Sequence, residues 1–305
     1  MSDDIVIAAR GVVRGFGAVK AVRGLDLQVR RGELYGLVGP DGAGKTTTIS
    51  MLAGLMAPDE GEVRILGDDP MDRHSRVREE LGLMPQEYSL YGDLSIAENL
   101  RFFAQLFLLP RAVYQERVDR LLAITRLAPF VDRPARALSG GMYKKLALSC
   151  ALLHQPKALL LDEPTNGVDP VSRRELWDLI YELVADGMAV LVSTPYMDEA
   201  ARCHRIGLMR EGEVIAEGSP GTLIDELEHD VCEVVGGERK LLHPMLEAMP
   251  EVVAASPAGR RLRVVIAPRQ LDTVAAELAT VGASLRRVTP DFEDLFLARI
   301  AAESP

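Results

Sequence analysis

Residues 36–50 read GLVGPDGAGKTTTIS, and this stretch decides the fold. An apolar run, ELYGLV, feeds a glycine-rich turn that opens a helix, and Gly39 to Thr46 spell G-x-x-x-x-G-K-T. Those are the residue types of a phosphate-binding loop. Gly39, Gly42 and Gly44 allow positive φ and leave no Cβ between the main-chain N–H groups and a bound phosphate. The donors converge with the positive end of a helix dipole, so Gly39, Pro40, Asp41, Gly42, Ala43, Gly44, Lys45 and Thr46 are expected to form an anion cradle. Lys45 is placed to reach the β- and γ-phosphates of a nucleotide, the Thr46 hydroxyl to hold Mg²⁺, and Thr47 to lie near the α-phosphate.

A second nucleotide element is LLLDEPTNGVDP. Residues 158–162, ALLLD, are apolar up to a terminal carboxylate, as in a central parallel strand covered on both faces. Asp162 at its tip is placed to hold the Mg²⁺ shell, and Glu163 to polarise an attacking water. A third element, LSGGM at 138–142, puts a glycine pair at another helix start, hence a second anion site. One phosphate loop seldom needs two γ-phosphate cradles. The economical expectation is that Ser139, Gly140 and Gly141 serve the nucleotide of another subunit across a dimer interface.

Outward from these motifs the chain alternates strand and helix, which argues for a doubly wound parallel sheet. Residues 5–38 carry short β-type runs for a small antiparallel sheet, with Phe16 in a turn before Gly17, and EGEVRILG adds a strand. Residues 73–80 read as helical, and LGLMPQ as a buried strand ending at Gln86. From Ser95 the period becomes helical, opened by the capping-box pair Ser95 and Glu98. Another helix follows Pro110, so a helical insertion interrupts the α/β pattern over about residues 90–155. Composition shifts near His229, and residues 229–305 read β-α-β-β-α-β, a small ferredoxin-like α+β domain after a domain over 1–228.

Composition sets limits. With 305 residues, 48% of them hydrophobic, two domains with sizeable cores are available. A net charge of −10 and a pI of about 5.1 argue against a sequence-independent grip on nucleic acid, which needs basic surface. Cys150, Cys203 and Cys232 lack paired spacing and read as reduced thiols in a cytoplasmic protein. The start, MSDDIVIAAR, is acidic and too short in apolar length for a signal peptide. Phe102–Leu109 falls far below the ~20 residues of a membrane helix.

In order and spacing, GPDGAGKTT, Gln86 in LMPQEYSLYGDLSIAENL, LSGGM, LLLDEPTNGVDP and VLVST resemble the ATP-binding subunits of ABC (ATP-binding cassette) transporters over about residues 5–228. The resemblance implies a P-loop ATPase of the ABC type, coupled to transport and binding ATP and Mg²⁺. It also implies a head-to-tail pair of cassettes enclosing two ATP molecules, each between one phosphate loop and the partner's LSGGM. Position by position, Phe16 would stack on adenine, Gln86 would sense Mg²⁺ and the attacking water, and Asp169 would lie in the loop that crosses the dimer. The helices near 95–125 would meet integral membrane permease subunits, with a second ATPase subunit, identical or different, completing the pair. The chain would sit on the inner face of the cell membrane. GMYKKL and PDFEDLFLARI narrow the likeness to the ATPases of drug-resistance and polysaccharide exporters. Alternatives are a soluble cassette acting on ribosomes or DNA, and a regulatory nucleotide-binding module. The first lacks tandem cassettes and basic surface here; the second is opposed by an intact Glu163.

Three positions depart from that family. Asp41 stands where Asn is usual, which puts a carboxylate near the phosphates. Met142 replaces the common Gln after Ser-Gly-Gly, a mild change. Pro195 replaces the His that follows VLVST and contacts the γ-phosphate. Proline has no side-chain donor and holds Thr194 extended. His204 lies nine residues on and reads as a surface histidine at a helix end. Strong nucleotide binding with slowed hydrolysis is therefore expected.

Overall fold

The computed structural model describes residues 4–87, 89–259 and 261–302. Residues 1–3 of the acidic start and 303–305 of the C-terminal region lie outside the described residues. The chain divides into two compact units, one running to Tyr196 and including Cys203–Val214, the other formed by Met197–Arg202 and the residues from Ile215 onward.

In the first unit, β1 (Ile5–Phe16) and β2 (Val19–Arg30) form a long antiparallel pair, followed by β3 (Leu34–Val38) and α1 (Lys45–Leu52). β4 (Glu60–Ile65) pairs antiparallel with β1, giving a three-stranded sheet in the order β2-β1-β4. Then come α2 (Val77–Glu80), β5 (Leu81–Met84), α3 (Ile96–Leu106), α4 (Arg111–Thr125), α5 (Gly140–Leu152), β6 (Ala158–Asp162), α6 (Pro170–Ala185) and β7 (Ala189–Thr194). After α7 (Met197–Ala200), β8 (Arg205–Arg210) returns to this unit and turns into β9 (Glu213–Gly218). The turn residues Glu211 and Gly212 have φ of 49° and 90°, the left-handed pair a two-residue hairpin requires.

The parallel sheet runs β5-β6-β7-β3-β8, with β9 at its edge. β3, β6 and β7 are buried at every residue, and β3 pairs parallel with β7 on one side and β8 on the other. Both faces are therefore covered, which is why these strands read as unbroken apolar runs. All the strands of this parallel set point the same way, so the loops after β3, β5, β6 and β7 emerge on one edge. The register pairs Val38 with Thr194, Asp162 with Ser193, and Met84 with Leu161. Carboxyl ends of parallel strands are where α/β sheets hold ligands.

The expected helical insertion is α3 to α5. Ser95 accepts from Glu98 N–H while Glu98 accepts from Ser95 N–H, closing the capping box read from the sequence. Two local readings are corrected. Phe16 is the last residue of β1 rather than a turn residue, because the antiparallel pair extends to Phe16↔Val19. Only Val77–Glu80 of the 73–80 stretch is helical. Asp69 and Asp72 instead accept from the N–H groups of Met71 and His74, so their side chains hold the preceding chain in turns.

The second unit carries α8 (Pro220–Asp225), β10 (Asp230–Val235), α9 (Arg239–Glu247), β11 (Val252–Ala258), β12 (Arg261–Ile266), α10 (Leu271–Thr280), β13 (Ser284–Arg287) and α11 (Phe292–Ala302). Its four strands are antiparallel in the order β11-β12-β10-β13, with a core of its own that includes Cys232, Leu246, Val264, Ile266, Val274 and Leu278. All three cysteines are free and buried. No described helix is long and apolar enough to cross a membrane.

Candidate nucleotide-binding site

The loop from Gly39 to Gly44 is built by close backbone approach. Gly39 N–H donates to Thr194 O (3.2 Å), which ties the loop to the end of β7. A Cβ on Gly39 would collide with the carbonyl oxygen of Met209, and one on Gly44 with that of Ala21, so both positions require glycine. Gly212 N–H donates to Ala43 O (2.9 Å), so the β8–β9 turn braces the loop from below. Gly44, at φ 108°, caps α1, whose first N–H groups then face the cradle.

Gly42 differs from its neighbours. A Cβ there would meet no protein atom within 4 Å, although φ is +80°. Together with Phe16, Asp41, Lys45, Gln86 and Glu163 it lines a cavity of about 360 Å³. Gly42→Ala is therefore expected to fold, losing only the ~1–2 kcal/mol of a left-handed non-glycine residue, while the new methyl group fills the cradle. A thermal melt shifted by a few degrees beside at least tenfold weaker ATP binding is the expected pair of results; unchanged affinity would place the phosphates elsewhere.

Lys45 is 4% exposed and donates from Nζ to Gly39 O (2.8 Å) and Pro40 O (3.0 Å). Its amine thus sits inside the loop it serves, 3.8 Å from Glu163 Oε1. Burial pulls its pKa below the usual lysine value, opposed by the charges of Glu163, Asp41 and Asp162. The Thr46 and Thr47 hydroxyls line the same cavity and make no hydrogen bond among the described residues. Thr48, by contrast, is spent on Gly44 O. These uncommitted oxygens fit an oxygen-seeking cation and phosphate oxygens.

Asp162 ends β6 and accepts from the Ser193 hydroxyl, which also accepts from Glu163 N–H (3.0 Å). Glu163 has φ 47°, a conformation that costs a non-glycine residue about 1–3 kcal/mol and persists where the surroundings over-determine it. It turns the carboxylate back over the sheet edge. There Gln86 Nε2 donates to Glu163 Oε2 at 2.9 Å and Asn166 Nδ2 to the same oxygen at 3.1 Å. With its nitrogen committed, the Gln86 amide keeps its oxygen for an ion or water. The expected trio of Lys45, Gln86 and Glu163 is thus one cluster.

Three contributors were not singled out from sequence. Asn166 steadies Glu163 and lies in the same motif. Ser193 bridges Asp162 and Glu163 from the neighbouring strand, a role set by register alone. Lys144 donates to Gln86 O (3.3 Å) and Glu163 O (3.4 Å), and burial holds its pKa below the usual lysine value. Its signal was a lysine amid the buried α5 residues Leu146, Ala147 and Leu148.

Phe16 is 47% exposed at the rim, with the Arg14 guanidinium 5.1 Å from its ring centre and Arg14 paired to Asp59. One face of the ring is thereby backed by a fixed cation. Ser139 caps α5 by accepting from Met142 N–H (3.3 Å), and Ser139 and Gly140 are exposed. They and Gly141 do not line the Lys45 cavity. A Cβ on Gly141 would collide with Ser172, so that glycine is also needed for packing against the first turn of α6. Just before that turn Asp169 caps α6, accepting from Val171 and Ser172 N–H (3.0 Å each). Pro195 follows Thr194, whose hydroxyl accepts from Tyr196 N–H (3.1 Å). His204 accepts at Nδ1 from Leu34 N–H (3.1 Å), at the opposite end of β3 from the loop.

The family model described as ABC transporter matches residues 22–166. The probable multidrug ABC transporter ATP-binding protein YbhF of Escherichia coli (strain K12) is 40% identical over 301 residues, 97% of this chain and 52% of that protein. The chain thus spans about half the length of that relative. The Nod factor export ATP-binding protein I of Ralstonia nicotianae is 39% identical over 253 residues, 82% of this chain and 79% of that protein. A solved ATP-binding subunit of an ABC transporter is 31% identical with a TM-score of 0.67, covering 72% of this chain and 92% of its own.

Proposed function

The chain belongs to the ABC transporter ATP-binding protein family, and from that premise we propose that it hydrolyses ATP to power a membrane exporter through ATP-driven pairing of two cassettes. The observation that carries the proposal is Glu163, aimed over a glycine cradle and held by Gln86 and Asn166 beside Lys45.

In this reading the backbone N–H groups of Gly42, Gly44, Lys45 and Thr46, which the loop leaves unspent among the described residues, grip the β- and γ-phosphates with the Lys45 amine, and Phe16 stacks on adenine. Thr46, the Gln86 oxygen and Asp162 would hold Mg²⁺, which would supply charge neutralisation on the phosphate oxygens. Glu163 orients the attacking water and draws off its proton as the oxygen–γ-phosphorus bond forms and the bond from the γ-phosphorus to the β–γ bridging oxygen breaks, releasing ADP and inorganic phosphate. Ser139, Gly140 and Gly141 lie away from the chain's own Lys45, which supports their serving the second ATPase subunit of the pair. The compact unit that runs to Tyr196 and includes Cys203–Val214 acts as the cassette, with the helical insertion meeting permease subunits at the inner face of the membrane, and the unit from Ile215 onward acts as an accessory domain.

Pro195 lowers the expected rate. Loss of one donor to a transferring group typically costs 10²–10³ in kcat, and Glu163 keeps some activity in place. Steady-state ATPase of the purified chain beside Pro195→His is the test, with the variant expected at least tenfold faster. Brisk wild-type turnover that the substitution fails to raise would refute slowed hydrolysis.

A further inference from the structure

A second cavity, of about 300 Å³, lies at the opposite ends of the strands that carry the candidate nucleotide site. Arg31 precedes β3, residues 155–157 precede β6 and residues 186–188 precede β7, while α4 and α6 supply walls. Strands of five or six residues at ~3.3 Å each separate the two sites by roughly 17–20 Å.

The floor is apolar: Leu121, Leu152 and Leu179 are buried there, beside Ile124, Leu183 and Met188. The mouth is cationic, and its charges are not equally matched. Arg120 pairs with Asp186 (3.3 Å) and Lys157 with Glu80 (2.9 Å). Among the described residues Arg117 has only neutral acceptors, donating from Nη1 to Leu153 O (2.7 Å) and from Nη2 to Gln155 Oε1 (2.8 Å). The Arg31 side chain makes no hydrogen bond or ion pair among the described residues. Against these two cations stands one lining acid without an ion pair among the described residues, Glu182.

Arg117 is therefore half-buried, fixed in direction and still charged. Two of the five guanidinium N–H groups are spent, which leaves three for an incoming anion. Fixing the donor beforehand also reduces what a ligand must order. In a chain of net charge −10, this is a local cationic mouth over an apolar floor. Its complement is a single anionic head on an apolar body. At ~30 Å³ per small group the volume admits about ten non-hydrogen atoms.

We propose that this cavity binds an amphipathic carboxylate, with its head on Arg117 and Arg31 and its apolar chain along Leu121, Leu179 and Met188. Such a ligand would tie α4 of the helical insertion to α6 of the sheet core. It is independent of the nucleotide reading, since it shares no residue with the Lys45 cavity.

The test is titration calorimetry of the full chain with sodium octanoate, with octan-1-ol and acetate as probes lacking head or body. A saturable one-to-one isotherm is expected, with Kd in the low millimolar range or tighter. Arg117→Gln and, separately, Arg31→Ala are each expected to weaken octanoate at least fivefold, and both control probes to bind at least fivefold more weakly. Arg31 is exposed, so its variant keeps the test decisive if Arg117→Gln folds poorly. No saturable isotherm, octanol binding as tightly as octanoate, or octanoate affinity unchanged in Arg31→Ala would overturn the proposal.

Discussion

Glu163→Gln is expected to cut steady-state ATP hydrolysis by at least 10²-fold while leaving MgATP affinity within a few-fold of wild type. A positioned general base contributes about 10²–10⁴ in rate, and the amide keeps the shape but cannot take a proton. Binding survives because the cradle glycines, Lys45 and Thr46 are untouched. The fold should survive as well. Gln86 and Asn166 both donate to one oxygen of Glu163, and the amide oxygen of glutamine can accept both. The charge facing Lys45 at 3.8 Å is lost, but the amine retains Gly39 O and Pro40 O as acceptors. Single-turnover hydrolysis and a calorimetric Kd on the same preparation separate the two effects. Equal loss of binding and rate would mean that Glu163 holds the nucleotide rather than the water.

Lys45→Ala is expected to act on the other quantity, raising the Kd for MgATP by at least 10²-fold. Hydrogen bonds to charged groups contribute about 1.5–3 kcal/mol each, and Lys45 is the buried cation of the loop. Alanine also leaves Glu163 without its neighbouring charge, and breaking a buried pair from one side is destabilising. Gln86 and Asn166 still satisfy that carboxylate, so a lower melting temperature with a folded circular-dichroism spectrum is expected. The affinity loss must therefore be read on folded protein.

The parts of this site that lie within one stretch of sequence were legible without coordinates. Gly39–Thr46 and Asp162–Glu163 each combine an apolar strand with the residue types their chemistry needs, and the structure puts Lys45, Gln86 and Glu163 around one cavity. What depends on register was not legible. Ser193 meets Asp162 because β6 and β7 pair in parallel at that level, and nothing in VLVST alone says so. Gly17 after Phe16 predicts a turn there, but cross-strand pairing carries β1 one residue further than turn chemistry suggests. The 73–80 stretch misled for the opposite reason. Its composition suits a helix, yet Asp69 and Asp72 offered the backbone local acceptors that compete with one. The cationic cavity under β3, β6 and β7 left no trace in sequence, since its residues come from four separated stretches, Arg31, 117–124, 152–157 and 179–188.

We propose that the glycine loop with Lys45 grips the phosphates of ATP. Calorimetric titration of the wild-type chain and of Lys45→Ala with MgATP and with AMP tests it most directly, because AMP keeps the base that Phe16 would stack on and lacks the β- and γ-phosphates. The predicted result is MgATP bound at least 10²-fold more tightly than AMP by wild type, with that preference lost in Lys45→Ala. Equal affinity for the two nucleotides in wild type, or a preference for ATP that survives Lys45→Ala, would contradict it.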